Sequence, residues 1–194
     1  QNPNFLYILS DDQRWDDFQY MANMRDVRSV GMNFAHNYTA WATCGPSRAA
    51  QLLGLLPHTT GIKDNGGEDA TAYLEYKSWW DKSIAVALQN KGYYTRHDGK
   101  FLNGYGDNGL DETVIPPGYN EWHAIVASFE NFWNFHLNDD GVVNAYRNVY
   151  STALFSARTV DFIQRRQNSG QPWACYTWHN SCHGPDTTDT QDVG

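Results

Sequence analysis

Phe5-Leu6-Tyr7-Ile8-Leu9 runs directly into Ser10-Asp11-Asp12-Gln13. A short, unbroken apolar run reads as a strand buried on both faces, the habit of parallel sheets covered by helices on either side. Two carboxylates placed just beyond such a strand are costly unless water, hydrogen bonds or a cation compensates them. Ligands of open α/β sheets gather outside the carboxyl ends of the strands. Asp11 and Asp12 are therefore candidate ligands of a hard cation such as Ca²⁺ or Mg²⁺, which takes oxygen donors. Asp16 and Asp17 read as an ordinary polar turn.

Two further stretches repeat this arrangement. Tyr93-Tyr94-Thr95 leads into Arg96-His97-Asp98-Gly99-Lys100, and Trp173 to Trp178 leads into His179-Asn180-Ser181-Cys182-His183. Lys100 and His183 thus also follow strands and can share one sheet edge with Asp11 and Asp12. Helices are expected over Ala22 to Val30, Lys77 to Lys91 and Tyr150 to Arg166. In the last, Leu154, Ala157, Val160 and Ile163 form an apolar stripe. Met32 to Tyr38 is strand-like. Gly61 to Glu75 and Gly104 to Gly118 read as loops. Glu121 to Asn138 is aromatic-rich before a turn at Asp139-Asp140-Gly141, and core packing explains it better than a sugar-binding surface. Strands alternating with helices imply an α/β fold with a mostly parallel central sheet flanked by helices.

Cys44-Gly45-Pro46-Ser47-Arg48 precedes a good helix-forming run, Ala49-Ala50-Gln51-Leu52-Leu53. Pro suits a first helical turn, where its missing N–H costs nothing. Arg48 can share a helix face with Cys44, and a helix N-terminus attracts anions. Cys44 is either a nucleophile at an anion site or a buried structural cysteine. His58 is either catalytic or a structural or surface histidine. A bridge between Cys175 and Cys182 requires the chain to fold back, since seven extended residues span ~23 Å.

The length of 194 residues suits one domain, and 41% hydrophobic and 15% aromatic residues argue against disorder. A net charge of −8, from 14 Lys and Arg against 22 Asp and Glu, disfavours nucleic acid as a partner. No apolar run approaches the ~20 residues of a membrane span. Gln1 to Asn4 lacks the pattern of a signal segment. Asn37-Tyr38-Thr39 is an N-glycosylation sequon, permissive of a secreted glycoprotein.

Four motifs in order give this sequence its resemblance to the sulfatase family of the alkaline-phosphatase-like superfamily. Pro3 to Gln13 resembles its first strand and acidic pair. Cys44-x-Pro46-Ser47-Arg48, with Gly54 and Pro57-His58, resembles its signature. Gly92-Tyr93-Tyr94 through Gly99-Lys100 and His183-Gly184-Pro185 are similar to later motifs. Gly99 to Tyr105, Pro116 to Trp122 and Phe132 to Asn138 resemble the glucosamine-6-sulfatase and endosulfatase-like branch. The resemblance implies that residues 1–194 form the N-terminal part of a sulfatase catalytic domain, incomplete at its C-terminus.

It implies, too, that Cys44 is oxidised to formylglycine by a formylglycine-generating enzyme. Asp11 and Asp12, helped by the modified Cys44, would then hold Ca²⁺, with Mg²⁺ the lesser candidate. The aldehyde hydrate would attack sulfur, release an alcohol and expel sulfate through its second hydroxyl, while Arg48, Lys100 and His183 stabilise charge on the sulfuryl oxygens. The implied substrate is a sulfated saccharide or an aryl sulfate. A phosphonate or phosphodiester hydrolase of the same superfamily and a non-catalytic sulfatase-like fragment are the alternatives. The implied setting is secreted, lysosomal or periplasmic. Leu53 and Leu55 stand where the family carries Thr and Arg, Cys182 stands where Pro is common, and the histidine usual after the lysine is missing beyond Lys100.

Overall fold

The computed structural model describes residues 2–66, 71–107, 109–127 and 131–184. Six strands pair among them: β1 (Phe5–Leu9), β2 (Tyr94–Gly99), β3 (Glu121–Val126), β4 (Phe135–Asp139), β5 (Val142–Tyr146) and β6 (Trp173–Trp178). They form one sheet in the order β1-β6-β2-β3-β4-β5. The pairs β1/β6, β6/β2 and β2/β3 are parallel, whereas β3/β4 and β4/β5 are antiparallel. The mostly parallel α/β sheet is present, extended by an antiparallel hairpin. In register, Leu9 and Gly99 both stand opposite Trp178. Three chains therefore leave the sheet side by side at Ser10, Lys100 and His179.

The helices are α1 (Ala22–Val30), α2 (Cys44–Leu53), α3 (Pro57–Thr60), α4 (Ala72–Lys77), α5 (Ile84–Asn90) and α6 (Ser151–Arg166). The two-residue period of a strand separates the sheet's faces. Ala174, Tyr176 and Trp178 of β6 pack into a core with Leu52, Tyr73 and Trp122. Trp173 and Cys175 face Phe162 of α6, and Thr177 shares a 2.6 Å hydroxyl contact with Thr159 on that helix. Within the first core His97 is fully buried and stacks on Trp122 at 4.8 Å. Desolvation, followed by the Arg48 charge, drives its pKa down to about 3, so its imidazole is neutral.

Several expectations are corrected. The Lys77–Lys91 helix is broken: Ser78 ends α4, Trp80–Lys82 is a single 3₁₀ turn, and Ser83 restarts the chain as the N-cap of α5, accepting from Val86 N at 3.3 Å. Serine competes with helix continuation by this local bond. The expected Gly61–Glu75 loop gives way to α4 at Ala72, capped by the Thr71 hydroxyl. Pro57 begins α3, a separate turn after α2. Met32 to Tyr38 is not a strand, with Met32, Phe34 and Tyr38 exposed. Asp140-Gly141 turns as expected, with φ of 51° and 92°. Two positive φ values suit a tight hairpin turn, here joining β4, at the end of the aromatic-rich stretch, to β5 just beyond it. Cys175 and Cys182 are free. Gly67, Phe129, Pro185 and the tail to Gly194 lie outside the described residues.

β1 also departs from expectation, because it forms an edge of this sheet and Phe5, Leu6, Tyr7 and Ile8 are exposed. α1 buries none of its residues and shows Met24, Val27 and Val30 to solvent. Among the described residues no helix is long and apolar enough to cross a membrane.

On the α6 side, Asp139 accepts from Arg158 at 2.7 Å and Tyr146 at 2.7 Å, and lies 2.8 Å from His123 Nδ1. Glu121 pairs with Arg96 and Arg165. Burial alone would raise both carboxyls, but their partners outweigh it and hold both below the ordinary range. Depressed native pKa values contribute stability above the unfolded value of about 4, lost as pH falls through the native values. Melting temperature should therefore fall steadily as pH is lowered below about 4, less steeply in Asp139→Asn. A pH-independent melt in wild type would contradict this network's role.

Candidate active site

Cys44 is the first residue of α2. The preceding Thr43 is extended and supplies no side-chain cap; instead the Gly45 N–H donates to Asn65 Oδ1 at 2.8 Å. Gly54, with φ of 64°, closes the helix in the left-handed conformation that glycine adopts without strain. α2 lies beyond the ends of β1, β6 and β2: the half-buried Cys44 faces residues leaving β1 and β2, and Arg48 reaches the residue after β6.

Asp11 is buried, and its N–H donates to Ser181 O at 2.8 Å. Its carboxylate forms a salt bridge with the buried Lys100 ammonium and lies 3.5 Å from Arg48 Nη2. Arg48 is also buried: it donates to Lys100 O at 2.7 Å and His179 O at 3.4 Å, and its guanidinium lies 5.3 Å from the centroid of the Trp178 ring. Asp12, with φ of 54°, turns its carboxylate outward, 3.8 Å from His183 Nε2. Asp11, Asp12 and Cys44 each offer one ligand atom, all within 4.8 Å of one another. The structure thus brings together Asp11, Asp12, Cys44, Arg48 and Lys100, with His183 at the rim. His58 is exposed on α3 and does not line the cavity.

That cavity measures about 810 Å³ and is walled by Asp11, Asp12 and Cys44 together with Trp15, Tyr38 and Trp41. Burial, reinforced by the two aspartates, pushes the Cys44 thiol up despite the nearby Lys100 charge. A thiol held neutral is a poor nucleophile. Asp11 moves the other way: desolvation would raise it, but Arg48 and Lys100 keep it below the ordinary range.

Gly99 fixes where Lys100 begins. Its φ is +99°, and a Cβ there would fall 2.1 Å from Trp178 O; the next N–H, of Lys100, donates to that same oxygen at 2.8 Å. Gly99→Ala should cost about 3 kcal/mol or more, from strain and a separated β2/β6 pair. Denaturant midpoints check this, and a change within about 0.5 kcal/mol would refute it. Asn65, the Trp178 ring and the His179 carbonyl escaped the sequence reading. Only Gly99 carried a local signal, a glycine at the end of a strand.

The sulfatase family profile matches residues 3–193. The chain belongs to the sulfatase family. It is 33% identical over 192 residues to an extracellular sulfatase Sulf-1 homologue of Caenorhabditis elegans, covering 94% of this chain and 26% of that protein. It is 33% identical over 226 residues to arylsulfatase G of Canis lupus familiaris, covering 95% of this chain and 41% of the relative. The sulfatase chain therefore spans well under half the length of these relatives. Among solved structures, one in complex with its substrate D-glucosamine-2-N,6-O-disulfate superposes with a TM-score of 0.74 at 21% identity, over 94% of this chain and 35% of that one. The sheet and helices of this sulfatase chain are those of the alkaline-phosphatase-like fold.

Proposed function

We propose that this chain carries the nucleophile side of a sulfate-ester hydrolase centre, as the N-terminal part of a sulfatase catalytic domain. The observation that carries the reading is the convergence of Asp11, Asp12 and Cys44 within 4.8 Å, beside the Lys100–Asp11–Arg48 cluster. The exposure of β1 and α1 fits a sheet that continues in the longer family members.

The donor set suits a hard cation only in part: Asp11 and Asp12 offer carboxylate oxygens, whereas a thiol at residue 44 is a soft ligand. An oxygen at residue 44, as in the hydrate of a formylglycine aldehyde made from Cys44, completes a hard set. When bound, Ca²⁺ would stabilise negative charge on the sulfuryl oxygens. That hydrate would supply one hydroxyl to attack sulfur as the alcohol leaves, and a second whose O–H bond would become the aldehyde carbonyl as sulfate departs.

The chain's own residues then divide the remaining work. Lys100 and Arg48 keep Asp11 ionised and aimed at residue 44. Lys100, buried against Asp11, adds positive charge behind the cavity wall, close to where charge develops in the transition state. Arg48 lines the cavity but is engaged by Asp11 and two carbonyls, so its main work is to position the carboxylate. His183 Nε2, at the open rim beside Asp12, is placed to hold a proton against a sulfuryl or leaving-group oxygen.

A sulfated saccharide is the substrate class we favour, supported by Trp15, Tyr38 and Trp41 around the cavity. Secretion is the matching setting, with the Asn37 sequon glycosylated and a formylglycine-generating enzyme acting on Cys44. The test is turnover of sulfated monosaccharide, aryl sulfate and phosphodiester at equal concentration. Sulfated sugar should lead. Preference for phosphodiester would overturn the assignment, and aryl sulfate alone would overturn the sugar.

A further inference from the structure

We propose that Asn65 is a positioning residue for residue 44, a role that rests on the sulfatase reading above. The first N–H groups of a helix have no partner within it, and a side chain just before the helix usually takes one. Thr43 stands at that place in α2 and makes no such bond. Asn65 does it from across the fold, accepting the Gly45 N–H at 2.8 Å. The amide so held is the one joining residue 44 to Gly45 in the first turn of α2.

The same residue reaches a second element. Asn65 O accepts from Ala72 N, the first residue of α4, at 3.3 Å. The next N–H along α4, of Tyr73, donates to Asn103 O at 3.1 Å in the loop that follows Lys100. Asn65 thus closes a chain of contacts from residue 44 through α4 to the Lys100 loop. The approach is close: a Cβ on Gly45 would lie 2.6 Å from Ala72 Cβ and 3.1 Å from Asn65 Oδ1. Ile62, fully buried in the core, anchors the loop that carries Asn65.

A small rotation of the first turn of α2 swings residue 44 relative to Asp11 and Lys100, and misplacement on the order of 1 Å can cost ~100-fold in rate. The site for substrate is otherwise untouched, so the loss belongs in kcat and not in KM. The experiment compares Asn65→Leu, which removes the acceptor at similar volume, and Asn65→Asp, which keeps it, in the modified protein. Asn65→Ala replaces the leucine variant if leucine does not fit. Two readouts are taken, sulfate-ester kinetics and amide hydrogen exchange at Gly45.

Loss of the acceptor should lower kcat about tenfold with KM within about twofold. It should also speed exchange at Gly45 while α6 stays protected. Asn65→Asp should return kcat to within about threefold of wild type. An acceptor-free variant with wild-type kcat, an aspartate variant as slow as leucine, or a Gly45 amide equally protected without Asn65 would each overturn the proposal. Failure of the sulfatase reading is separately visible as wild type lacking sulfate-ester turnover. The exchange readout then still decides whether Asn65 holds the turn.

Discussion

Cys44→Ala should abolish sulfate-ester hydrolysis, lowering kcat by about 10⁴-fold or more, as removal of a nucleophile does elsewhere. Stability should change by less than about 1 kcal/mol, because the side chain is only half-buried and serves no hydrogen bond that holds α2. Cys44→Ser is the sharper variant. A serine hydroxyl can accept the sulfuryl group and release the alcohol. Its carbon carries no second hydroxyl, so sulfate has no route off by elimination. The expected result is at most one turnover, leaving a sulfate ester on residue 44 that mass spectrometry detects. Mass spectrometry of the wild-type peptide should show the Cys44 sulfur replaced by a carbonyl oxygen. The raised thiol pKa points the same way, since an unmodified Cys44 stays neutral and unreactive. Sustained turnover by Cys44→Ser, or full activity with an intact thiol, would remove residue 44 from the role of modified nucleophile.

The site was legible wherever its chemistry lay next to a strong pattern. Asp11-Asp12 and His179 to His183 follow apolar strands, Lys100 follows the mixed strand β2, and parallel pairing brings such strand ends to one edge. What escaped notice depended on contacts distant in sequence. Nothing near Asn65 says that its amide oxygen meets Gly45, because the approach is set by the packing of α2 on α4. Arg48 was legible as a cation near Cys44, but its burial under Asp11 follows from tertiary placement that helical spacing does not contain. The apolar run of β1 states what the strand is suited to bury, and its neighbours decide whether it is buried. The same limit hid the β4–β5 hairpin: its turn was plain in Asp140-Gly141, while aromatic residues suit strand and helix cores alike. The expected Lys77–Lys91 helix breaks at Ser83 because that serine's local bond outweighs continuation of the helix.

Arg48 carries the second large effect. Its guanidinium serves the Asp11 carboxylate and the carbonyls of Lys100 and His179 at once, all in the buried layer under residue 44. Arg48→Leu leaves those oxygens short of a donor and Asp11 dependent on Lys100 alone. Removing one partner of a buried charge cluster costs about 3–5 kcal/mol, so this variant should unfold at markedly lower denaturant and lose activity with its fold. Arg48→Lys separates the roles. It keeps the charge, but a single ammonium cannot reproduce the planar fork that reaches several acceptors. The cost should be about 1.5–3 kcal/mol, the value of a hydrogen bond to a charged group. If Arg48 acts by aiming Asp11, the lysine variant should need more Ca²⁺ for half-maximal activity, and excess Ca²⁺ should restore most of kcat with KM unchanged. If Arg48 instead touched the sulfate, KM would rise while Ca²⁺ dependence stayed at wild type. The bonds that occupy the guanidinium favour the first outcome, because Arg48 already serves the Asp11 carboxylate and the carbonyls of Lys100 and His179.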